Sequence, residues 1–156
     1  MNGIINIYKE PGFTSFDVVA KLRGILKQKK IGHTGTLDPA AQGVLPVCLG
    51  KATKLCELLT DGTKTYEAVL LLGVTTDTLD MEGQVLKTCP VECSGEDVKR
   101  VIESFTGEQE QIPPMYSALK VNGKKMYELA RAGKVIERQP RKVFFYNIEI
   151  ISMELP

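Results

Sequence analysis

The sequence predicts an α+β protein. An apolar run of strand length leads through a turn into an amphipathic helix, an Asn122-Gly123 dipeptide marks a hairpin, and the last fifteen or so residues are β-rich. With 156 residues, 43% of them hydrophobic, the chain suffices for one ordinary core, so one domain is expected.

Taken in order, GIINIY (3–8) is the first strand, and KEPGFTS (9–15) supplies turn chemistry that ends on Ser15 or Thr14 as a helix cap. From Ser15 to about Lys29, Val18, Val19, Leu22, Ile25 and Leu26 recur at helical spacing. Lys21, Arg23, Lys27 and Lys29 fall mostly on other faces, so this helix is amphipathic and basic. VLPVCLG (44–50) reads as a buried strand, ATKLCELLT (52–60) as a short helix, and KTYEAVLLLG (64–73) as a second strand ended by its glycine. The acidic TTDTLDMEG (75–83) reads as a loop and GQVLK (83–87) as a short strand. Ser94 with Asp97 forms a capping box for a helix running to about Phe105. The hairpin signal follows, then a short helix near YELAR (127–131). In RKVFFYNIEIISMEL (141–155), Val143, Phe145, Asn147 and Glu149 alternate with Phe144, Tyr146, Ile148 and Ile150, the pattern of a strand with one wetter face.

The formal net charge is only +1, but residues 1–60 carry eight Lys/Arg against four Asp/Glu, residues 61–115 four against eleven, and residues 116–156 eight against four. Two basic ends around an acidic middle point an anionic partner toward the ends. The first sixty residues contain no apolar run long enough to span a bilayer and no basic leader with an apolar core, so the expectation is a soluble, cytoplasmic protein without membrane association. Cys48, Cys56, Cys89 and Cys93 lack CxxC spacing, and His33 is the sole histidine. Reduced structural thiols are therefore expected in place of a zinc site.

The chemistry centres on GHTGTLDP (32–39). Gly32 and Gly35 permit close approach of backbone to a ligand, and Pro39 biases Asp38 toward an extended or turn conformation, so its carboxylate is presented on a loop. Such a carboxylate serves as nucleophile, base, metal ligand or turn former, and His33 is either a loop residue or a ligand-positioning donor.

KEPGFTSFDVV, GHTGTLDPAAQGVLPVCLGKATK, KTYEAVLLLGVTTDTLDMEGQV and QIPPMYSALKVNGKKMYELAR, four blocks in order over nearly the whole chain, together resemble the bacterial tRNA pseudouridine synthase B family. The resemblance implies a mixed, largely antiparallel sheet flanked by helices, that is, an incomplete pseudouridine synthase fold. It also implies a basic hairpin/helix thumb inserted at about 112–141. The implied activity is conversion of uridine to pseudouridine in the T-arm loop of tRNA, with no metal, nucleotide or redox cofactor. By position in its motif, Asp38 matches the catalytic aspartate, attacking ribose C1′ or base C6 or promoting glycal formation. Tyr66 matches the active-site tyrosine, and His33 the histidine that holds the rearranged RNA loop. Gly35 and Thr36 fall in the same substrate-contacting motif.

Lys9 resembles the lysine of the amino-terminal motif, but here Glu10 separates it from Pro11 and Phe16 stands where histidine or asparagine is common, so only a structural or RNA-proximal role carries over. Between Tyr116 and Lys142, Lys120, Lys124, Lys125, Arg131 and four further basic residues face only Glu128 and Glu137, which makes the thumb a candidate contact for the T stem-loop. Family members continue past this point into a strand and helix whose arginine pairs with the catalytic aspartate, and then into a small RNA-binding domain. The expectation is accordingly a monomeric full-length enzyme. Residues 1–156 alone are expected to be poorly active and to self-associate through the unpaired edge of their last strand. Two other classes compete: a non-catalytic RNA-binding or RNA-folding module, and a metal-dependent hydrolase or phosphotransferase built on Asp38, Asp77 and Asp80.

Overall fold

The computed structural model describes every residue except Tyr116, Ala118, Leu119, Asn122, Lys134, Val135 and Pro156. The chain divides into two compact units, Met1–Glu67 and Ala68–Pro156, and the architecture is α+β.

In the first unit, strand β1 (Gly3–Lys9), helix α1 (Ser15–Leu26), strand β2 (Ile31–His33) and strand β3 (Gly43–Leu49) are followed by a 3₁₀ turn (Gly50–Leu55) and a short helix α2 (Cys56–Thr60). The sheet order is β1-β3-β2, antiparallel throughout, with register running from Gly3 opposite Leu49 to Lys9 opposite Gly43. On the other side of β3, Ile31 faces Leu49 and His33 faces Val47. Val18 and Val19 of α1 pack on Ile31, Leu45, Val47 and Leu49, and Ile5, Ile7, Leu22, Leu26 and Leu37 close the cluster. Alternation along β1 turns Ile5, Ile7 and Lys9 to the less exposed side. A cation thus occupies a position that period two assigns to the core.

Helix α1 starts at a reciprocal capping box: Thr14 accepts from the Asp17 amide while the Asp17 carboxylate accepts from the Thr14 amide and hydroxyl. Those bonds hold the Asp17 carboxyl below its ordinary range. The helix ends at Lys27, whose φ of 49° is left-handed.

The second unit contains an antiparallel pair, β4 (Val74–Thr76) with β5 (Val85–Thr88), and helix α3 (Gly95–Glu103) capped by the expected Ser94–Asp97 box. Strand β6 (Gly107–Gln111) pairs with β9 (Arg141–Phe145). Between them, β7 (Lys120–Val121) pairs with β8 (Lys124–Lys125), and helix α4 (Met126–Arg131) follows. The expected hairpin forms, although Asn122 of its turn signal lies outside the described residues. No helix among the described residues is long and apolar enough to cross a membrane.

Five readings of the sequence differ from the structure, the first being Thr75 and Thr76, expected in a loop and found in β4. Residues 64–73, expected as a strand, form none; among the described residues only the Gly73 carbonyl at their end accepts a backbone bond, from the Cys89 amide (2.9 Å), and Val69 is fully exposed. The closing run forms a strand only over Arg141–Phe145, and Ile151 beyond it is exposed. Conversely, β2 lies inside a segment read as loop, and the polar GEQEQ of β6 was not anticipated. A strand is defined by its partner, and apolar content alone supplies none.

All four cysteines are free thiols. Burial, with the Cys56 thiol beside it, pushes Cys48 up to about 11. Alkylation at neutral pH is expected to modify exposed Cys89 and Cys93 first and Cys48 only on unfolding. Mass mapping of the modified peptides checks this order, and labelling of Cys48 at the rate of Cys89 would contradict it.

Candidate active site

The segment between β2 and β3 carries Asp38, and its path is set by hydrogen bonds to three different elements. The Thr34 amide donates to the Pro46 carbonyl of β3 (3.1 Å), and its hydroxyl donates to the same oxygen (3.3 Å). The Leu37 amide donates to Ser15 Oγ (2.9 Å), and that hydroxyl donates back to the Leu37 carbonyl (3.3 Å). Because Thr14 caps α1, the Ser15 hydroxyl is left to hold the loop. On the far side of Asp38, the Pro39 carbonyl accepts from the Gly12 amide (2.8 Å) and from Lys9 Nζ (3.3 Å). The Ala41 amide closes a turn on the Asp38 carbonyl (3.1 Å).

Lys9 is 1% exposed. Its ammonium donates to Phe13 O (2.7 Å) and Glu10 O (3.1 Å) as well as to Pro39 O, so three donors meet three carbonyls and tie the turn after β1 to the residue after Asp38. Burying an ammonium is costly unless its N–H groups are matched in this way. Lys9→Met is expected to lower unfolding free energy by about 2–3 kcal/mol, because the carbonyls lose a charged donor. Denaturant unfolding of the variant measures this, and unchanged stability would mean that water serves the carbonyls equally well.

The outcome is a carboxylate whose two neighbours are fixed while Asp38 itself stays exposed. Beside it, a cavity of about 300 Å³ is bounded by residues 34–37, residues 44–46, Leu59 and residues 62–66. This volume is at the small end of ligand pockets. Gly35, Thr36 and Tyr66 therefore meet at one opening, with Tyr66 69% exposed at its edge. Asp38 follows directly on the lining residue Leu37 but does not line the cavity itself. Lys64, which the sequence reading passed over, also lines it, and its ammonium is held by the carbonyls of Thr60 (2.6 Å) and Gly62 (3.0 Å).

His33 sits at the end of β2, with Nδ1 2.5 Å from the Gly35 carbonyl. A carbonyl only accepts, so Nδ1 is the donor in this contact and Nε2 is the nitrogen left to meet a ligand. The ring lines a different cavity, of about 500 Å³, together with Phe16, Arg23, Lys29 and Lys30. Lys120, Lys124, Lys125 and Arg131 lie in the second unit, on β7, β8 and α4. Asp77 and Asp80 are also in that unit, and both accept within their own turn: Asp77 from the Gln84 amide (2.8 Å), Asp80 from the Glu82 amide (2.9 Å) and the Thr78 hydroxyl (2.6 Å). Among the described residues, no three His, Cys, Asp or Glu side chains converge as a metal site.

Ser15 and Thr34 are the positioning residues that sequence reasoning missed. The sole signal for Ser15 was its place beside the cap, and nothing in the sequence pairs Thr34 with Pro46.

The family described as TruB family pseudouridylate synthase (N terminal domain) matches residues 23–156. A protein of Lachnoclostridium phytofermentans named tRNA pseudouridine synthase B is 68% identical over 153 residues, which is 98% of this chain and 50% of that protein. The protein of the same name from Clostridium kluyveri is 56% identical over 156 residues, all of this chain and 54% of that one. The chain thus spans about half the length of the curated relatives it matches. Among solved structures, a chain in the crystal structure of a Cbf5-Nop10-Gar1 complex superposes with a TM-score of 0.62 at 29% identity, covering 97% of this chain and 36% of that chain. The match runs through the loop that holds Asp38, strands β2 and β3 and the hairpin beyond, and the chain belongs to the TruB family of pseudouridylate synthases, matching its N-terminal domain.

Proposed function

We propose that this chain carries the reaction site for isomerising uridine to pseudouridine in tRNA, at uridine 55 of the T-arm loop, with Asp38 as the nucleophile. The observation that carries the reading is the presentation of Asp38: an exposed carboxylate between two tethered residues, next to a cavity edged by Tyr66. Substrate and product are isomers, so the reaction needs no group from outside. The N-glycosidic bond breaks, the uracil turns, a bond forms to C5, the C5 proton leaves and N1 gains one. Asp38 supplies the electron pair, attacking ribose C1′ or base C6 or else promoting glycal formation while the uracil turns.

A base stacked in an RNA loop has to be extruded first, at a cost of about a few kcal/mol. In this reading Tyr66 provides an aromatic face for the flipped uracil and a hydroxyl for the proton transfer. His33 and the Gly35–Thr36 backbone hold the rearranged loop. Residues 112–141 act as a thumb over the T stem, Lys120, Lys124, Lys125 and Arg131 meeting phosphates. The whole activity belongs to a protein of the relatives' length, and residues 1–156 alone are a weak catalyst in this proposal.

The test is to incubate tRNA with the chain, alone and with the remaining half of the Lachnoclostridium phytofermentans relative as a second polypeptide, and to map pseudouridine at nucleotide resolution. Conversion at the T-loop uridine in the complemented sample is expected. Binding without conversion would favour a non-catalytic RNA-binding module. Replacing Lys124, Lys125 and Arg131 together is expected to reduce the slope of log affinity against log salt by roughly two to three, about one per lost phosphate contact. An unchanged slope would remove the thumb from the RNA.

A further inference from the structure

We propose that the cavity formed by Phe16, Arg23, Lys29 and Lys30, with His33 at its rim, is a second RNA seat that binds a backbone phosphate of the substrate strand and stacks the adjoining base on Phe16. The cavity measures about 500 Å³, and no carboxylate lines it. Three permanent cations therefore face one opening with no acidic lining residue to balance them, an arrangement that favours an anion.

Arg23 contributes to this opening directly. Its Nη2 donates to the Ile31 carbonyl (3.3 Å), and its buried Nε has no hydrogen-bond partner among the described residues. The guanidinium keeps further N–H donors beyond the one given to Ile31, and a phosphate oxygen matches such donors well. The guanidinium lies 5.7 Å from the Phe16 ring centroid, and that ring is 60% exposed. A cation beside an exposed aromatic face is the combination that takes a phosphate and its neighbouring base in single-stranded nucleic acid, and a free anion has no use for the ring.

Adjacency to the reaction cavity in the chain sets the partner. Ile31, Gly32 and His33 line this seat, and the next residues, Thr34 to Leu37, line the cavity beside Asp38. The occupant proposed is therefore a neighbouring part of the strand that enters the reaction cavity. In this respect the inference rests on the isomerase reading, since it takes the strand in the reaction cavity to be RNA.

The experiment measures the salt dependence of binding of a fluorescent T-arm stem-loop RNA to the chain. Arg23→Gln with Lys30→Gln is compared with Lys87→Gln with Lys99→Gln, a pair that removes equal charge and lines neither cavity. Lys29→Gln with Lys30→Gln leaves the Arg23–Ile31 bond intact and guards against a folding defect. Both seat variants are expected to lose about one from the salt slope and at least tenfold in affinity, and Phe16→Ala to weaken binding about tenfold with the slope unchanged. A slope in the seat variants equal to that of the matched control would overturn the proposal, as would stabilisation of wild type by inorganic phosphate with no change in RNA slope, the mark of a free-anion site. Pseudouridine formation is scored in parallel samples to which the remaining half of the Lachnoclostridium phytofermentans relative is added as a second polypeptide. Turnover with unchanged slopes defeats the seat alone, and reduced slopes without turnover defeat the isomerase reading while the seat stands. No binding of the RNA by wild type defeats both.

Discussion

Asp38→Asn is expected to abolish pseudouridine formation, by at least about a thousandfold, in the chain complemented by its relatives' second half. The amide keeps the size of the carboxylate but lacks the electron pair that attacks, and nothing in 32–39 replaces it. Affinity for tRNA is expected to stay within about tenfold, because phosphate contacts dominate binding and Asp38 makes none in this reading. Single-turnover assays with excess enzyme separate the two effects. Retained turnover would take the nucleophile role away from Asp38.

The second large effect is expected at Tyr66. Tyr66→Phe preserves the ring at the edge of the cavity and removes only the hydroxyl, so stacking should persist while proton transfer suffers. A fall of about a hundredfold or more in the single-turnover rate, with the dissociation constant for the T-arm RNA nearly unchanged, is the expected pattern. Equal rates for the variant and wild type would reduce Tyr66 to a wall of the cavity.

How far the sequence reveals this molecule depends on whether the information is local. The Ser94–Asp97 box and the basic helix from Ser15 are written within one or two turns, and both were legible. The presentation of Asp38 was legible too, because Pro39 restricts the backbone of the residue before it. Pairing is not local. Val69, Leu70 and Leu71 have strand composition but no described strand beside them, whereas Gly107–Gln111 has poor strand composition and pairs with Arg141–Phe145. Ile31–His33 is too short for any periodicity and exists because β3 passes next to it. Lys9 misleads for a different reason. Lysine is almost always at the surface, and its burial follows from three carbonyls that converge only after the turn and the Asp38 loop have met.

The tethers on either side of Asp38 also bear on how the site can come apart. Leu37 is bonded to the first residue of α1, Pro39 to Lys9 at the end of β1, and Thr34 to the middle of β3. A surface loop ordinarily fluctuates at little cost, independently of the elements it joins. This one shares its hydrogen bonds with all three, so freeing the Leu37 amide means disturbing the helix start as well. Amide exchange at Leu37 and Gly12 would then follow the cooperative opening of the sheet and helix. The geometry of the carboxylate would persist for as long as that unit stays closed, and would be lost with it in a single step.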